Sequence, residues 1–420
     1  MAVTIQSSPG TAVRASHQHL IFTLDEATTP ERFIVQVFEN DNYTSTPNTA
    51  GTEIAKLYLT PNAEGRAHFD LSDIVGDRVE SCVQVGSMGG NIFVHTATTI
   101  PSTSVQKVVR QYIIRAGQYN DGVEDLGEAF ANVHLFNGVA QISQGKNPSY
   151  SFLYPTGSTQ QVWFTDRNLV GSDRYFKMHM ADEDEGTLQF AKTGFILGGP
   201  SETANRVDIK QFRGTSTLVA QLNYTISISL ALSGNVYQIP CGPAQLDTKF
   251  AGGLHPDWTY LTFQVTQTGL AKSRIFRVVR DCRPIKHDPV QLCWVNTLGA
   301  WDFLRFDGRN LKSISTESKT YRKSVGSYGA ETFTFNPYDA QVDTYHKTGK
   351  ERYNLQNLHF RPEELELLQY AFRSKQVFFR VASGDWLPCQ IQTDTYTVRP
   401  AASQLFEVSL DIELAQDIRC

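Results

Sequence analysis

The stretch Pro362-Glu363-Glu364-Leu365-Glu366-Leu367-Leu368-Gln369-Tyr370-Ala371-Phe372-Arg373 sets Leu365, Leu368 and Phe372 on one helical face, and three runs of alternating hydrophobicity follow it, 376–382, 387–396 and 404–414. Pro362 suits a first helical turn because its missing N–H costs nothing there, and Glu363 and Glu364 follow where the helix dipole favours negative charge. Val377-Phe378-Phe379-Arg380-Val381 and Trp386-Leu387-Pro388-Cys389-Gln390-Ile391 flank the turn signal Ser383-Gly384-Asp385, so they are predicted to form a hairpin. Leu405-Phe406-Glu407-Val408-Ser409-Leu410-Asp411-Ile412-Glu413-Leu414 alternates almost without error, which predicts a long strand with one apolar face. The rest of the chain offers little helix. The fold class is therefore mainly β, with one amphipathic helix near the end.

At 420 residues the chain exceeds what one hydrophobic core supports, so several domains are expected. Residues 1–110 read as a β-sandwich of fibronectin- or immunoglobulin-like type, with strands at 19–24, 32–38 and 54–59 between turn residues. A short amphipathic helix is predicted from Asp70 or Ser72 through Val79 and Cys82. Residues 111–280 form a second β-rich stretch with long loops. Within it 117–145 reads as irregular, with a helical turn near Glu128-Ala129-Phe130, and such a long loop is expected to pack on a partner or act as a lid. Residues 281–420 form the third unit, led in by a shared strand at 274–279.

The chemistry-bearing residues are sparse. No nucleophile elbow, phosphate loop, zinc-protease helix or dinucleotide fingerprint is present. Paired carboxylates meet only in space, so Asp166, Asp173 and Glu202 stand as candidates for sugar hydrolysis. The acidic run Asp182-Glu183-Asp184-Glu185 lacks the ligand spacing of a calcium loop and reads as a solvated hairpin tip. His17 and His19, two apart on a strand, would share a face but lack a third ligand. No metal and no cofactor is expected. Cys82, Cys241, Cys282, Cys293, Cys389 and Cys420 are far apart and read as reduced, mostly buried thiols.

A net charge of −5 gives no global attraction to nucleic acid or an anionic membrane. No run approaches the ~18 apolar residues of a span and no leader pattern opens the chain, so synthesis and first folding in the cytoplasm are expected. The densest basic segment is Arg305, Arg309, Lys312, Lys319, Arg322 and Lys323, opposed locally by only Asp307 and Glu317. It is read first as a subunit contact, next as a solvated edge and last as a DNA contact. Tryptophans 163, 258, 294, 301 and 386 are expected in cores rather than on a glycan platform.

Helix, short hairpin and long amphipathic strand in that order resemble the tail-tube-like domain of tailed-bacteriophage tail and baseplate-hub proteins, over residues ~330–420. A second likeness lies at Asn296-Thr297-Leu298-Gly299-Ala300-Trp301-Asp302 with its flanking strands and the following Lys319-Thr320-Tyr321-Arg322-Lys323. That segment is similar to an Asn-x-x-Gly-x-x-Asp pattern of phage structural proteins. The resemblance implies a non-enzymatic virion component, assembled in the host cytoplasm, that forms or decorates a ring in the tail, baseplate hub or tail adaptor. Its partners would be other copies of itself and other virion proteins, with incidental DNA contact in a tail lumen and no membrane. The expected subunit interface comprises Lys312, Lys319, Arg322 and Lys323 together with Leu405, Val408 and Leu410 on a bare final strand. The alternatives are a capsid-associated or fibre-attachment protein, a carbohydrate-binding adhesin and a polysaccharide-degrading enzyme.

Overall fold

The computed structural model describes residues 3–9, 13–40, 51–76, 78–79, 99–100, 106–107, 109–136, 138, 163–168, 175–191, 205–226, 235–250, 253–267, 270–271, 273–283, 286–323, 326–329, 331–334, 342–381, 385–393 and 406–419. These residues fold mainly as β-structure. They divide into two compact units, Met1–Arg283 with Trp294–Phe303, and Pro284–Cys293 with Leu304–Cys420.

The first unit opens with β1 (Thr4–Ser7), β2 (Val13–Ala15), β3 (Ile21–Asp25), β4 (Arg32–Asn40), β5 (Thr52–Leu59), β6 (Ala67–Asp70) and helix α1 (Ser72–Val75). It continues with β7 (Thr99–Ile100), β8 (Gln106–Lys107), β9 (Val109–Asn120) and β10 (Val123–Phe136). Strands β1, β3 and β6 make one sheet, and β2, β10, β9, β4 and β5 another in that order. Alternate residues of the two sheets share one core: Phe22 and Leu24 from the first, with Leu20 just before β3, and Phe33, Val35, Val37, Tyr112, Ile114, Val133 and Leu135 from the second. Each such side chain contributes about 1.5–3 kcal/mol by leaving water.

The expected boundary near residue 110 thus falls inside this five-stranded sheet, because β9 pairs with β4 from Arg32↔Tyr119 to Asn40↔Gln111. The irregular loop expected at 117–145 is instead the hairpin β9–β10 as far as Phe136. Its turn is Asp121-Gly122, with both φ angles positive at 51° and 80°, the backbone that lets a two-residue loop match strand twist. No helical turn forms at Glu128; a bulge between Asp125 and Ala129 interrupts the alternation there. Helix α1 is also shorter than expected, ending at Val75, and Cys82 lies outside the described residues. Asp70 holds its start by accepting the amides of Leu20 and Ser72 at 2.8 and 3.0 Å. His17 and His19 sit in the turn after β2, not on a strand, and His19 meets Asp70.

The unit goes on with β11 (Phe176–Met180), β12 (Thr187–Ala191), β13 (Asn205–Arg213), β14 (Thr217–Ile226), β15 (Asn235–Pro240), α2 (Pro243–Lys249), β16 (Tyr260–Gln267), β17 (Leu270–Ala271) and β18 (Phe276–Arg280). A sheet of order β11-β18-β16-β13-β14-β7 buries Phe176, Val207, Ile209, Phe263 and Val278, and β12-β15-β8 forms a smaller one. Strand β18 belongs wholly to this sheet, so the strand expected to lead into the third unit does not do so.

The second unit takes most of β19 (Val290–Val295), part of β20 (Trp301–Phe306), then β21 (Leu311–Arg322), β22 (Ser327–Tyr328), β23 (Phe333–Thr334) and β24 (Val342–Phe360). Helix α3 (Pro362–Ala371) and strands β25 (Val377–Val381), β26 (Leu387–Ile391) and β27 (Phe406–Arg419) complete it. Seven strands form one sheet of order β20-β19-β25-β26-β27-β24-β21. The Glu364 side chain accepts the Arg361 amide at 3.1 Å, closing the helix start, and Leu365, Leu368 and Ala371 are fully buried with Leu367 beside them.

Position in this sheet overturns one expectation. Strand β27 is not a bare edge: it lies between β26 and β24, and Val408 and Leu410 are buried in the unit's own core. A residue whose side chain already packs inside cannot also face a neighbouring subunit. Leu405 lies outside the described residues.

Candidate functional site

The edge role falls to β21. All twelve of its residues are exposed, and among the described residues its ladder is with β24 alone. Strand β27 backs β24 from Thr348 onward, so before that point 318–322 and 342–347 form a two-stranded ribbon. Such a ribbon by itself is marginal in water. Five of the ten exposed large hydrophobic side chains among the described residues lie on β21 or on the β24 half of the ribbon: Leu311, Ile314, Tyr321, Val342 and Tyr345. Tyr321 and Tyr345 stand with ring centres 6.2 Å apart.

The charges on the ribbon are more balanced than the linear sequence suggests. Lys312 meets Glu351 at 2.7 Å and lies over the Tyr353 ring, and Lys323 pairs with Asp343. The neutralising acids come from across the ladder, invisible when β21 is read alone. The bond to Glu351 raises the Lys312 pKa, and the bonds from Lys350 and Arg352, both 2.8 Å, hold Glu413 below its ordinary value. Lys319 and Arg322 have no carboxylate within ion-pair reach among the described residues. Across 311–323 and 342–354 β21 and its ladder partner carry seven Lys or Arg against three Asp or Glu, a positive strip on a chain of net charge −5.

The Asn296–Asp302 segment is a second constellation, inside the first unit. Asn296 and Gly299 build the hairpin turn: the Asn296 Oδ1 accepts the amides of Leu298 and Ala300 at 3.0 and 2.9 Å, and Gly299 has φ of 76°. Asp302 accepts from Thr165 Oγ1 at 2.7 Å, from the Asp166 amide at 2.9 Å and from Asn296 Nδ2 at 2.9 Å. Arg167 places its Nε 3.6 Å from Asp302 Oδ1, supplying countercharge. Asp166 in turn accepts the Thr297 amide at 2.8 Å and its hydroxyl. The spacing seen in the sequence is thus a hydrogen-bonded latch between a hairpin tip and residues 163–168. The carboxylates of Asp166 and Asp302 are both occupied by donors of the latch itself.

Burial first, and then the Asp302 charge, push the Asp166 carboxyl up from 3.8 to about 7. A carboxyl whose folded pKa exceeds its unfolded value adds stability in full below the unfolded pKa, and that stability is lost as pH rises through the folded one. The unfolding midpoint of the first unit should therefore fall as pH rises from about 4 to about 8. Asp166→Asn keeps an acceptor for the Thr297 amide and should flatten that part of the profile in thermal melts. An unaltered slope would assign the pH dependence elsewhere.

The remaining candidates separate cleanly. Asp173 and Glu202 lie outside the described residues. All five tryptophans are buried, and Trp163 donates to the Arg274 carbonyl at 2.8 Å. In the acidic run Asp182 pairs with Arg280, while Asp184 is buried and accepts the Ala181 amide at 2.8 Å, so the run closes a turn. Cys241, Cys293 and Cys389 are buried free thiols whose pKa burial raises, that of Cys389 to about 12, whereas Cys282 is exposed. Cys420 lies outside the described residues.

No protein-family model and no curated protein matches the chain. Among solved structures it is similar to fibronectin(III)-like modules of Clostridium thermocellum CbhA, at 7% identity and TM-score 0.16 over 66% of this chain and 94% of that one. It is also similar to the calcium-binding domain CBD12 of CALX1.1, at 8% identity and TM-score 0.19 over 63% and 80% of the two chains. Chicken CNTN1 FN1–FN3 domains match at 7% identity and TM-score 0.17 over 96% and 99%. Likeness at this level carries no argument about function.

Proposed function

We propose that this chain is a non-enzymatic structural subunit of a tailed-phage virion, forming or decorating a ring in the tail, baseplate hub or tail adaptor. The observation that carries the assembly half is β21, a twelve-residue strand exposed along its whole length at the end of a seven-stranded sheet. An open edge of that length, on a ribbon with exposed tyrosines, invites a further strand. The virion half rests on the order of α3, hairpin β25–β26 and long strand β27, the order that resembles tail-tube-like domains. The adhesin alternative draws little support from five buried tryptophans, and the enzyme alternative little from an Asp166 already bonded to Thr297.

Sedimentation velocity across a concentration series tests the assembly half. The parent should self-associate, and Lys319→Glu with Arg322→Glu should weaken association about tenfold while leaving circular dichroism and melting unchanged. A parent that stays monomeric throughout would overturn the reading. Electron-microscopy classes of the assembly without rotational symmetry would overturn the ring.

A further inference from the structure

We infer that β21 pairs with β21 of a second copy of this chain, antiparallel about a twofold axis at Ser318, joining two seven-stranded sheets into one. This rests on the reading of β21 as the assembly edge and adds to it the partner and the register.

The argument is the strand's own sequence. A twofold axis normal to a sheet keeps its two faces distinct, so the axis must pass through a residue position and not between two. Centred on Ser318, Glu317 stands opposite the partner's Lys319, and the twofold makes that pair twice. Thr316 stands opposite the partner's Thr320, also twice, and Ser318 stands opposite itself. Opposite charges and Thr–Thr pairs are the cross-strand combinations that stabilise antiparallel ladders. Ile314 then lies against the stem of the partner's Arg322, and no like charges are directly opposed. Moving the centre by one residue destroys the match. At Glu317 that carboxylate meets itself and Lys312 meets the partner's Arg322; at Lys319 the ammonium meets itself. Centres at Thr316 or Ser315 create no opposite-charge pair.

The fold leaves this strand fit for the role. The bulge in the β21–β24 ladder falls between Lys319 and Thr320 on β21, where His346 and Thr344 are the successive partners, so the extra residue, Tyr345, is on β24 and β21 runs uninterrupted. Lys312 and Lys323 already have Glu351 and Asp343, whereas Lys319 has no carboxylate in ion-pair reach among the described residues and is open to one from a second copy. The contact is isologous and closes at two subunits, so a larger ring would use a second, different surface.

Cysteine scanning and charge exchange test it, using the full chain with Cys282→Ser. Directly opposite residues have Cα atoms about 4.5–5.5 Å apart, within disulfide reach, so Ser318→Cys should give a linked dimer under mild oxidation. Ser313→Cys and Ser315→Cys should link at least tenfold more slowly, because neither meets itself. Glu317→Lys or Lys319→Glu alone should weaken the dimer about tenfold by creating two like-charge pairs, and the double exchange should restore it to within about threefold. If the parent self-associates but Ser318→Cys links no faster than the other two, or the double exchange gives no rescue, this register is overturned and the assembly reading survives. A monomeric parent overturns both, and would mean that the lysines of β21 guard the edge against pairing.

Discussion

Asp302→Ala should cost the first unit about 3–5 kcal/mol, the range for breaking a buried charged network by removing one partner. Three donors would lose their acceptor at once: the Thr165 hydroxyl, the Asp166 amide and the Asn296 side chain. Arg167 would also lose its carboxylate while staying bonded to the Lys177 and Phe303 carbonyls, leaving a buried guanidinium without countercharge. Burial sets the size of the effect, since Asp302 is 3% exposed and its donors would be left buried without their carboxylate. Asp302→Asn should cost less, because its carbonyl keeps an acceptor while its amide opposes the Asn296 donor. Urea unfolding followed by tryptophan fluorescence measures both. A loss below about 1 kcal/mol for the alanine variant would show that the latch does not hold the hairpin tip.

Leu368→Ala should cost the second unit about 2–5 kcal/mol, the range for truncating a packed leucine. Leu368 is 0% exposed, on the face of α3 that also buries Leu365 and Ala371. Glu366, on the same helix but only half-buried, should tolerate alanine within about 1 kcal/mol. Equal effects of the two substitutions on melting would place the helix face wrongly. Because the first unit has its own core, its unfolding should be little changed by Leu368→Ala, which differential scanning calorimetry can resolve if the two units melt separately.

Local periodicity is legible in the residue order and strand pairing is not. Helix α3 and strands β25, β26 and β27 could be placed from periodicity, because burial on one face writes a period of 3.6 or 2 into the residues themselves. Strand β10 is hidden in the residue order because Glu124, Asp125, Gly127 and Glu128 break its alternation around a bulge. The signal that could have found it was Asp121-Gly122, two residues whose chemistry fits a tight hairpin turn. Asn296, Gly299 and Asp302 stood out as a spacing, yet their partners Thr165, Asp166 and Arg167 lie more than a hundred residues earlier in the chain.

The amino-acid order alone determined the class of fold, the amphipathic helix and which face of the last strand is apolar, because these depend on neighbours a few positions apart. Only the tertiary structure decided which strand is the edge. Alternation in β27 tells that Val408 and Leu410 turn inward, but not that β24 and β26 flank it, since neighbours in a sheet are chosen across the whole chain. The same holds for charge. Lys312 and Lys323 are unopposed in the linear order, but the ladder sets Glu351 and Asp343 beside them, whereas Lys319 and Arg322 on β21 have no carboxylate in reach among the described residues.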